Sequence, residues 1–583
     1  MKLLRSPLAV AAGAAAALML SLGVAAHAAP SKADELRTLR QQEKQRTEIY
    51  KAFFPDLATA RKAAISFHDN LLEAHYEQGF LVMELQPGER AALSGFGFRF
   101  ERADEFIAQR NAMIDAIQAA ADAREKAGGR GEDSGINSIP GFSCYETVEE
   151  TFADAQALVA AHPTLASWKD VGDSWQKTNG LGGYDMNVLK ITNSAVPGPK
   201  PILFINSAIH AREYATAPLN TKFAHWLLDG YGTNADATWI VDHHEVHLML
   251  QTNPDGRKMA EAGLSWRKNT NTAYCSPTSN HRGADLNRNF TFTWNTTGGA
   301  GSSGNQCDDT YRGPTAHSEP ETQAVEAYIR SLWPDRRGTA MGDPAPADTS
   351  GVHIDIHSYA DLVLWPWGET TAPTGNAAAF TTMGRRLAYY NGYTPEQSIG
   401  LYPTDGTTDS PSYGELGVAA FTIELGNAFF ESCSHYSRVT EPKNLPALIY
   451  AAKVVRAPYE TPSGPDVTSV TLSGKAASSG VTAGTPVKLT AAITDTQFNN
   501  SNGVEPVQNV VAAEAYVDVP PWVTGARPIP LTAVDGQFNT PTEQGTAVLG
   551  TRTLASGKHI VFVRGQAASG QFGPVTASLL VIK

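Results

Sequence analysis

Short apolar runs alternate with amphipathic stretches through the middle of the chain. The runs typical of buried strands are Met186–Ile191, Ile202–Asn206, Val246–Leu250, Gly351–Ile356 and Ala419–Glu424. Stretches with helical periodicity accompany them at Val148–Ala161, Thr216–Leu228 and Glu319–Leu332. Because strands and helices that alternate in this way pack as layers, the pattern predicts an α/β unit over residues 141–458, with a mixed central β-sheet flanked by helices.

The patterns on either side of this unit differ from it. Residues 29–140 predict an α+β unit and a linker: a helical pattern from Ser31 to His75, a strand at Phe80–Leu85, a short helix at Glu89–Leu93, a strand at Phe96–Phe100 and a helix from Ala103 to about Ala123. The Gly-rich segment from Lys126 to Pro140 is typical of a flexible linker that proteases can cut. Residues 466–583 alternate apolar and polar positions and predict a β-sandwich of the immunoglobulin or fibronectin kind.

Composition narrows the classes of function. Of the 583 residues, 42% are hydrophobic and 18% charged, as in ordered globular proteins. The net charge of −13 argues against nucleic acid as a partner, since phosphate binding needs a basic face. No internal apolar run approaches the ~20 residues that span a bilayer. We expect a monomer, in which the C-terminal sandwich is the candidate for binding a surface or a polymer.

The N-terminus carries features of an exported protein. Lys2 and Arg5 precede an uncharged stretch rich in Ala and Leu, and Ala26-His27-Ala28 offers the small residues of a cleavage site. The pattern predicts a signal peptide over residues 1–28 and a secreted or periplasmic protein. The alternative is an uncleaved membrane anchor.

The chain contains four cysteines, Cys144, Cys275, Cys307 and Cys433. An even number in an exported chain favours disulfides. Cys275 and Cys307 bracket a stretch rich in Gly and Asn and are assigned to one pair, which leaves Cys144 and Cys433 as the other by elimination. The alternative is four free buried thiols.

The segment His210-Ala211-Arg212-Glu213 and the distant His357 carry the candidate chemistry. Two histidines and one glutamate make a zinc site with three protein ligands and an open fourth position, as in catalytic rather than structural zinc sites. His210 and Glu213 follow one predicted strand and His357 follows another, and in sheets of this kind the ligand crevice lies beyond the carboxyl ends of the strands. We therefore predict a hydrolase with one zinc ion per chain.

Glu424 is an acidic residue in the apolar run Phe421–Leu425. Burying a carboxylate there is costly unless it has a partner or a function. Next to a catalytic zinc, a glutamate can act as general base on the attacking water and then protonate the leaving amine. The alternative is a structural salt bridge.

Six segments occur along the chain in a characteristic order: His210–Glu213, Thr252–Gly256, Trp266–Lys268, Gly283–Phe290, Ile356–Tyr359 and Phe421–Leu425. Together they resemble the M14, or funnelin, family of zinc metallocarboxypeptidases of the carboxypeptidase A/B/T type. The resemblance spans roughly residues 141–456. It implies hydrolysis of the C-terminal peptide bond of peptides and proteins. The strand-helix-strand pattern of residues 80–100 also resembles the family's pro-region, so residues 29–140 are expected to assist folding and mask the cleft. The alternative is a permanent structural domain.

The resemblance assigns roles near the scissile bond. Arg267 resembles the arginine that polarises the carbonyl and stabilises its oxyanion. Asn287 and Arg288 resemble the pair that grips the terminal carboxylate, a task for which the planar fork of arginine is suited.

It also assigns residues farther from that bond. Tyr402 resembles the mobile tyrosine that caps the bound substrate, and Arg212 and Tyr359 resemble residues of the outer subsites. Cys275 and Cys307 flank the Asn287–Arg288 segment as a family disulfide does.

Asp409 corresponds to the bottom of the side-chain pocket in the resembled family. An acid there favours C-terminal Lys or Arg through charge pairing. The surroundings depart from the family pattern, because Pro411 stands where a tryptophan is common. Turn chemistry before Ser410-Pro411 explains the same aspartate, so both interpretations stay open.

Two other functions compete with an ordinary secreted metallocarboxypeptidase. One keeps the enzyme but directs it to cell-wall peptides or glutamate side chains. The other is an inactive metal-binding adhesion protein. Asn287, Arg288 and Tyr402 favour ordinary peptide C-termini, and the retention of Glu424 and Arg267 argues against inactivity.

Overall fold

Four β-sheets organise the part of the chain that the structure, a computed structural model, describes: residues 31–67, 70–126 and 138–583. The predicted signal peptide at residues 1–28 and most of the predicted linker lie outside the described residues. Within the described ranges, no helix is long and apolar enough to cross a membrane.

The N-terminal region is an antiparallel sheet with helices around it. Its elements are α1 (Lys32–Gln45), β1 (Ile49–Phe53), α2 (Leu57–Ser66), β2 (Leu71–His75), β3 (Phe80–Glu84), α3 (Pro87–Gly95), β4 (Arg99–Arg102) and α4 (Asp104–Lys126). The strand order is β2-β3-β1-β4, and every neighbouring pair is antiparallel. The α+β class predicted for this region is confirmed.

Two details predicted for this region are wrong. The helical pattern expected from Ser31 to His75 ends at Gln45, and the chain then forms β1 and β2. Ile49 and Ala52 are fully buried in β1, which pairs with β3 and β4, so long-range pairing overrides the local helical periodicity. The strand expected at Phe96–Phe100 begins at Arg99, because α3 runs to Gly95 and Gly97 turns the chain with a φ of 89°.

The middle of the chain forms the central sheet and its flanking helices. The elements are α5 (Val148–Ala161), β5 (Ala166–Asp173), α6 (Trp175–Thr178), β6 (Asp185–Ile191), β7 (Ile202–Ser207), α7 (Thr216–Gly230), α8 (Ala235–His243), β8 (Glu245–Met249), α9 (Pro254–Glu261), α10 (Pro320–Leu332), β9 (Val352–His357), β10 (Leu362–Trp365), α11 (Ala377–Asn391), β11 (Thr394–Gln397), β12 (Ala419–Glu424), α12 (Cys433–His435) and α13 (Glu441–Val454). Every strand and helix predicted here from periodicity is present to within two residues.

The central sheet is mixed, as predicted. Its order is β11-β10-β12-β9-β7-β8-β6-β5, in which β12, β9, β7 and β8 run parallel to one another. The register pairs Ser207 with Ile356 and His357 with Glu424. The carboxyl ends of β7, β9 and β12 therefore meet at one edge of the sheet.

Both faces of this sheet are covered by helices. Leu203 and Ile205 of β7 point to one face, where they join a cluster with residues of α7 such as Phe223. Phe204 points to the other face and packs in a cluster with Ile329 of α10. All five side chains are fully buried. The alternation along the strand explains why buried strands of this sheet appear as continuous apolar runs in the sequence.

The C-terminal region is the predicted β-sandwich. Its strands are β13 (Asp466–Leu472), β14 (Val487–Thr494), β15 (Val510–Val517), β16 (Ile529–Pro530), β17 (Thr532–Ala533), β18 (Thr542–Leu549), β19 (Gly557–Ala567) and β20 (Thr576–Ile582). One sheet has the order β13-β14-β18-β17 and the other β16-β15-β19-β20. Leu489 and Ile493 of the first sheet share a core with Val561, Val563 and Leu580 of the second.

A buried arginine joins the sandwich to the central unit. Arg386 on α11 is 0% exposed and forms ion pairs with Asp466 at 2.6 Å and Asp495 at 2.9 Å. Its guanidinium also lies over the ring of Phe498, at 3.6 Å from the centroid. A buried charge is costly unless it is paired. Because Asp466 lies in β13 and Asp495 follows β14, these ion pairs tie α11 to the first two strands of the sandwich.

Both predicted disulfides are present, Cys275–Cys307 and Cys144–Cys433. The alternative of four free thiols is wrong. The first disulfide closes the 275–307 loop, which contains Asn287 and Arg288, and the second links the chain just before α5 to α12.

Candidate active site

Three side-chain atoms converge at the edge where β7 and β9 end. His210 Nδ1 lies 2.7 Å from Glu213 Oε1 and 3.1 Å from His357 Nδ1, and His357 Nδ1 lies 3.2 Å from Glu213 Oε2. All three residues are buried. Within the described ranges, this is the one group of three or more His, Cys, Asp or Glu whose ligand atoms converge in this way.

The loop between β7 and α7 carries both His210 and Glu213. Ala208 adopts a left-handed backbone conformation, with φ 57°, directly after the end of β7. Thr216, the first residue of α7, accepts a hydrogen bond from Ala208 N through Oγ1 and donates one to Glu213 O, each at 3.0 Å. These hydrogen bonds fold the loop so that the side chains of His210 and Glu213, three residues apart, converge on the same point.

Two buried polar residues after β8 fix the backbone of the same loop. Asn253 Nδ2 donates to Ile209 O at 3.1 Å, and Arg257 Nη1 donates to Ala211 O at 3.4 Å and to Glu213 O at 3.3 Å. They satisfy carbonyl groups that a buried loop would otherwise leave without partners. Neither residue has a function predicted from the sequence.

Asp285 and Asp355 orient the two histidines, a role that was predicted for neither from the sequence. His210 Nε2 lies 3.1 Å from Asp285 Oδ1, and His357 Nε2 lies 2.8 Å from Asp355 Oδ2. Each contact fixes the ring and leaves Nδ1 to face the convergence point. A signal for Asp355 was available, because it is an acidic residue inside the apolar run of β9, the same feature that singled out Glu424.

Asp285 also holds Arg267. Arg267 donates from Nε at 3.0 Å and from Nη2 at 2.8 Å to Asp285 Oδ2. Burial acts to raise the pKa of Asp285, but the neighbouring Arg267 and His210 charges outweigh it and hold that pKa well below its usual value. A single ionised carboxylate therefore links the predicted oxyanion residue to a predicted metal ligand.

Glu424 ends β12 beside this group. Its backbone is paired with that of His357 on the adjacent strand, and its side chain is 8% exposed. Burial raises the pKa of Glu424 to about 7, and the negative charge of Glu213 adds to the increase while His357 and Arg267 oppose it. A carboxylate whose pKa lies near neutrality is suited to accept and return a proton.

Asn287 and Arg288 lie on a short helical turn that Asp285 caps, since Asp285 Oδ1 accepts from Asn287 N at 3.0 Å. Asn287 Nδ2 lies 3.2 Å from His357 Nε2. Arg288 Nη2 donates to Tyr402 Oη at 3.4 Å. The structure thus brings together the three residues that the resemblance assigned to the substrate's terminal carboxylate and its cap.

Arg212 and Tyr359 lie together on another side of the site, with Phe429 between them. The Arg212 guanidinium is 4.2 Å from the centroid of the Phe429 ring, and the Tyr359 ring meets that ring edge-on at 4.8 Å. Arg212 also pairs with Asp309 at 3.1 Å. Tyr359 and Phe429 are buried in a cluster with residues of the N-terminal sheet, among them Leu71.

Asp409 is buried and lies just before the short helical segment Pro411–Glu415 in the sequence. It is 6% exposed, and its Oδ1 accepts from Thr407 Oγ1 at 2.6 Å. Burial raises the pKa of Asp409. The neighbouring Thr408 donates its N–H to Asn287 Oδ1 at 2.9 Å, so Asp409 lies next to the Asn287–Arg288 pair.

The residues at the convergence point fit a zinc ion. Two imidazole nitrogens and one carboxylate oxygen are the ligand set of catalytic zinc sites. A zinc-bound histidine usually donates a hydrogen bond from its other ring nitrogen to a carboxylate. Asp285 and Asp355 are the carboxylates in this position, beside Nε2 of His210 and of His357.

Residues 152–439 match the family model of zinc carboxypeptidases of the M14 type. The zinc carboxypeptidase of Saccharothrix mutabilis subsp. capreolus is 30% identical over 359 residues, which cover 59% of this chain and 74% of the relative. The chain belongs to the M14 zinc carboxypeptidase family. It is a peptidase of the metallocarboxypeptidase class.

Another relative and two solved structures have lower sequence identity to this chain. Carboxypeptidase A1 of Sus scrofa is 29% identical over 300 residues, covering 49% of this chain and 63% of that protein. Among solved structures, thrombin activatable fibrinolysis inhibitor covers 70% of this chain and 98% of its own, with a TM-score of 0.51 at 19% identity. Carboxypeptidase A from Helicoverpa armigera also gives a TM-score of 0.51, at 20% identity, and covers 70% of this chain and 97% of its own. These structures support the fold.

Proposed function

We propose that this chain removes the C-terminal residue of peptides with one zinc ion held by His210, Glu213 and His357. The observation that carries the proposal is the convergence of their ligand atoms beside Glu424 and Arg267. Zinc, when bound, supplies a Lewis acid that polarises the scissile carbonyl and makes water a better nucleophile at neutral pH.

Glu424 and Arg267 do the acid–base and electrostatic work in this proposal. Glu424 takes a proton from the attacking water and delivers it to the leaving nitrogen, which its pKa of about 7 supports. Arg267 faces the negative charge that develops on the carbonyl oxygen. Its bonds to Asp285 orient its guanidinium before substrate arrives, so little reorganisation is needed during reaction.

Asn287 and Arg288 give the enzyme its exopeptidase character. Together with Tyr402 they offer hydrogen-bond donors to a terminal carboxylate, and a buried guanidinium is a strong partner for that group. Arg212 and Tyr359 line the outer subsites, and Asp409 favours a basic terminal side chain. Its burial next to the Asn287–Arg288 pair supports that preference over a simple turn role.

Blocked dipeptides with free and amidated C-termini test this proposal. We expect the free acid to be cleaved, and amidation to lower kcat/KM by about 10²-fold or more, because two charge-assisted hydrogen bonds lose their carboxylate. The measurement is the release of the terminal residue by purified enzyme with zinc present. Equal cleavage of acid and amide would contradict the carboxylate clamp.

We propose the division of the chain into a signal peptide (1–28), a pro-like region with linker (29–140), a catalytic unit (141–458) and a sandwich (466–583). Export to an oxidising compartment, secreted or periplasmic, is supported by the two disulfides. For a pro-like region, the support is a contact: Ala74 N in β2 donates to Asn427 O at 3.3 Å, and Glu73 forms a β-bridge with Ala428.

That contact predicts size-dependent inhibition. The N-terminal sheet covers Tyr359 and residues 427–429, whereas the hydrogen bonds of Arg288 go to residues of its own unit. We therefore expect cleavage in the linker and removal of the N-terminal region to accelerate hydrolysis of long peptides more than of blocked dipeptides.

The measurement is the ratio of the two kcat/KM values before and after limited proteolysis. A heat-inactivated protease serves as the control. An unchanged ratio would contradict masking of the outer subsites.

A further inference from the structure

Thr408 lies behind the proposed active site and bonds to two parts of it that are far apart in the sequence. The residue is fully buried, in the segment that leads to β12. Its hydroxyl donates to Asp355 Oδ2, and its backbone N–H donates to Asn287 Oδ1 at 2.9 Å. One buried residue therefore contacts both the partner of a proposed zinc ligand and a member of the proposed carboxylate clamp, Asn287 and Arg288.

On the metal side, Thr408 shares its acceptor with His357. Asp355 is fully buried, and its Oδ2 also lies 2.8 Å from His357 Nε2. Because His357 presents Nδ1 to the convergence point, Nε2 carries the proton that Asp355 accepts. The other carboxylate oxygen, Oδ1, accepts from Asn206 Nδ2 on β7 at 2.7 Å. Thr408 and Asn206 thus hold the carboxylate that orients the imidazole of His357.

On the substrate side, Thr408 decides which end of the Asn287 amide is available to a terminal carboxylate. A backbone N–H can only donate, so it takes Oδ1 of Asn287 as its partner and leaves Nδ2 at the other position. Nδ2 lies 3.2 Å from His357 Nε2, which donates to Asp355 and therefore does not accept from Asn287. The amide hydrogens of Asn287 are left to bind the carboxylate of a substrate.

The segment that carries Thr408 is packed directly against the carboxylate clamp. Gly406, two residues earlier, has a φ of 64°, and its carbonyl accepts from Phe290 N at 3.0 Å. A Cβ at Gly406 would lie 2.7 Å from Arg288 O, so only glycine permits this approach. A change in the position of this segment is therefore felt by the clamp.

We propose that Thr408 is a positioning residue that couples the metal site to the carboxylate clamp, so that its hydroxyl supports both zinc affinity and recognition of a free C-terminus. The inference rests on the proposed carboxypeptidase function. While the hydroxyl is bonded to Asp355, the N–H of the same residue stays directed at Asn287. Without the hydroxyl, Asp355 loses one of its buried donors and Thr408 loses the contact that fixes its backbone.

Thr408→Val tests the coupling, because valine has nearly the size of threonine but lacks the hydroxyl. We expect the zinc dissociation constant of the metal-free protein, measured by competition with a chelator, to rise about tenfold, as when an outer partner of a metal ligand is lost. At saturating zinc, we expect kcat/KM for the free-acid dipeptide relative to the amidated dipeptide to fall about tenfold. The fall should come mainly through KM of the acid, because a hydrogen bond to a charged group is weakened in ground and transition states alike.

Thr408→Ser keeps the hydroxyl and should restore both the zinc affinity and the acid-to-amide ratio. Asn206→Ala removes the other donor to Asp355 without touching Asn287, so it should weaken zinc binding and leave the acid-to-amide ratio unchanged. Thr151→Val is the matched control for the substitution itself. Thr151 is also buried, but it lies on α5 and donates its hydroxyl hydrogen to Thr147 O, so this variant should change neither quantity.

A Thr408→Val enzyme in which only one of the two quantities changes, or neither, would overturn the inference. A lower kcat with unchanged KM and zinc affinity would show a structural role alone. The same losses in Thr408→Ser would assign the effect to packing rather than to the hydroxyl, which also overturns the inference. Wild-type enzyme that cleaves neither dipeptide, or cleaves acid and amide equally, would instead contradict the proposed function itself.

Discussion

We expect the Glu424→Gln substitution to lower kcat by ~10²–10⁴-fold, the usual contribution of a general acid–base group, with little change in KM. Glutamine keeps the size of the side chain but can neither take a proton from water nor return one to the leaving nitrogen. Glu424 is buried at the end of β12, next to His357, and is not one of the three convergent ligands. The variant should therefore bind zinc in the same 1:1 ratio as wild type.

Glu431→Gln provides the matched control for this experiment. Glu431 is also buried, and burial raises its pKa to about 7 as well, yet it lies seven residues beyond Glu424 and outside the convergent group. The measurements are steady-state kinetics on a blocked dipeptide and zinc content by atomic emission. A Glu424→Gln enzyme as active as wild type, or an equal loss in Glu431→Gln, would show that the proposed base is wrong.

Replacing His357 with alanine should remove both zinc and activity. Two protein ligands remain in this variant, and the loss of affinity should exceed the ~10–100-fold that follows removal of an outer-shell partner. Zinc binding also stabilises the folded chain by mass action, by about 2.7 kcal/mol when free zinc is 100 times the dissociation constant. We therefore expect added zinc to raise the unfolding temperature of wild-type enzyme but not of His357→Ala.

His353→Gln is the control for the metal experiment. His353 lies on the same strand as His357, is fully buried, and contacts Ser412 Oγ at 2.8 Å and Asn206 Oδ1 at 2.7 Å. Its loss perturbs the sheet without touching the convergent group, so zinc binding should persist. Stoichiometric zinc and full activity in His357→Ala would be incompatible with the proposed ligand set.

The metal-ligand candidates could be predicted from the sequence because they lie at or just beyond the ends of predicted strands. His210 and Glu213 follow one apolar strand and His357 ends another, and the ends of parallel strands meet at one edge. The role of Arg267 came only from the resemblance to a family, since nothing in its local sequence marks it as different from other arginines.

The outer partners of the metal ligands could not be predicted with equal ease. His210 meets Asp285 across 75 residues of sequence. Asp355, by contrast, lies on the same strand as His357, and an acidic residue in that apolar run is a signal in the sequence. Nothing in the periodicity of a segment records which distant side chain it will face. The helix predicted through Ile49 is wrong for the same reason. The local pattern around Ile49 favours a helix, but this segment forms β1 because it pairs with β3 and β4, which come later in the chain.

The sequence by itself determined the layered α/β class, the C-terminal sandwich, the zinc-ligand candidates and the family. Periodicity and motif order are local properties, and burial of apolar faces leaves few folds compatible with them. Only the tertiary structure decided that Asp285 links His210 to Arg267 and that Arg386 pairs with Asp466 at the start of the sandwich. Each of these depends on the meeting of segments far apart in the chain, and such meetings are set by the packing of the whole molecule.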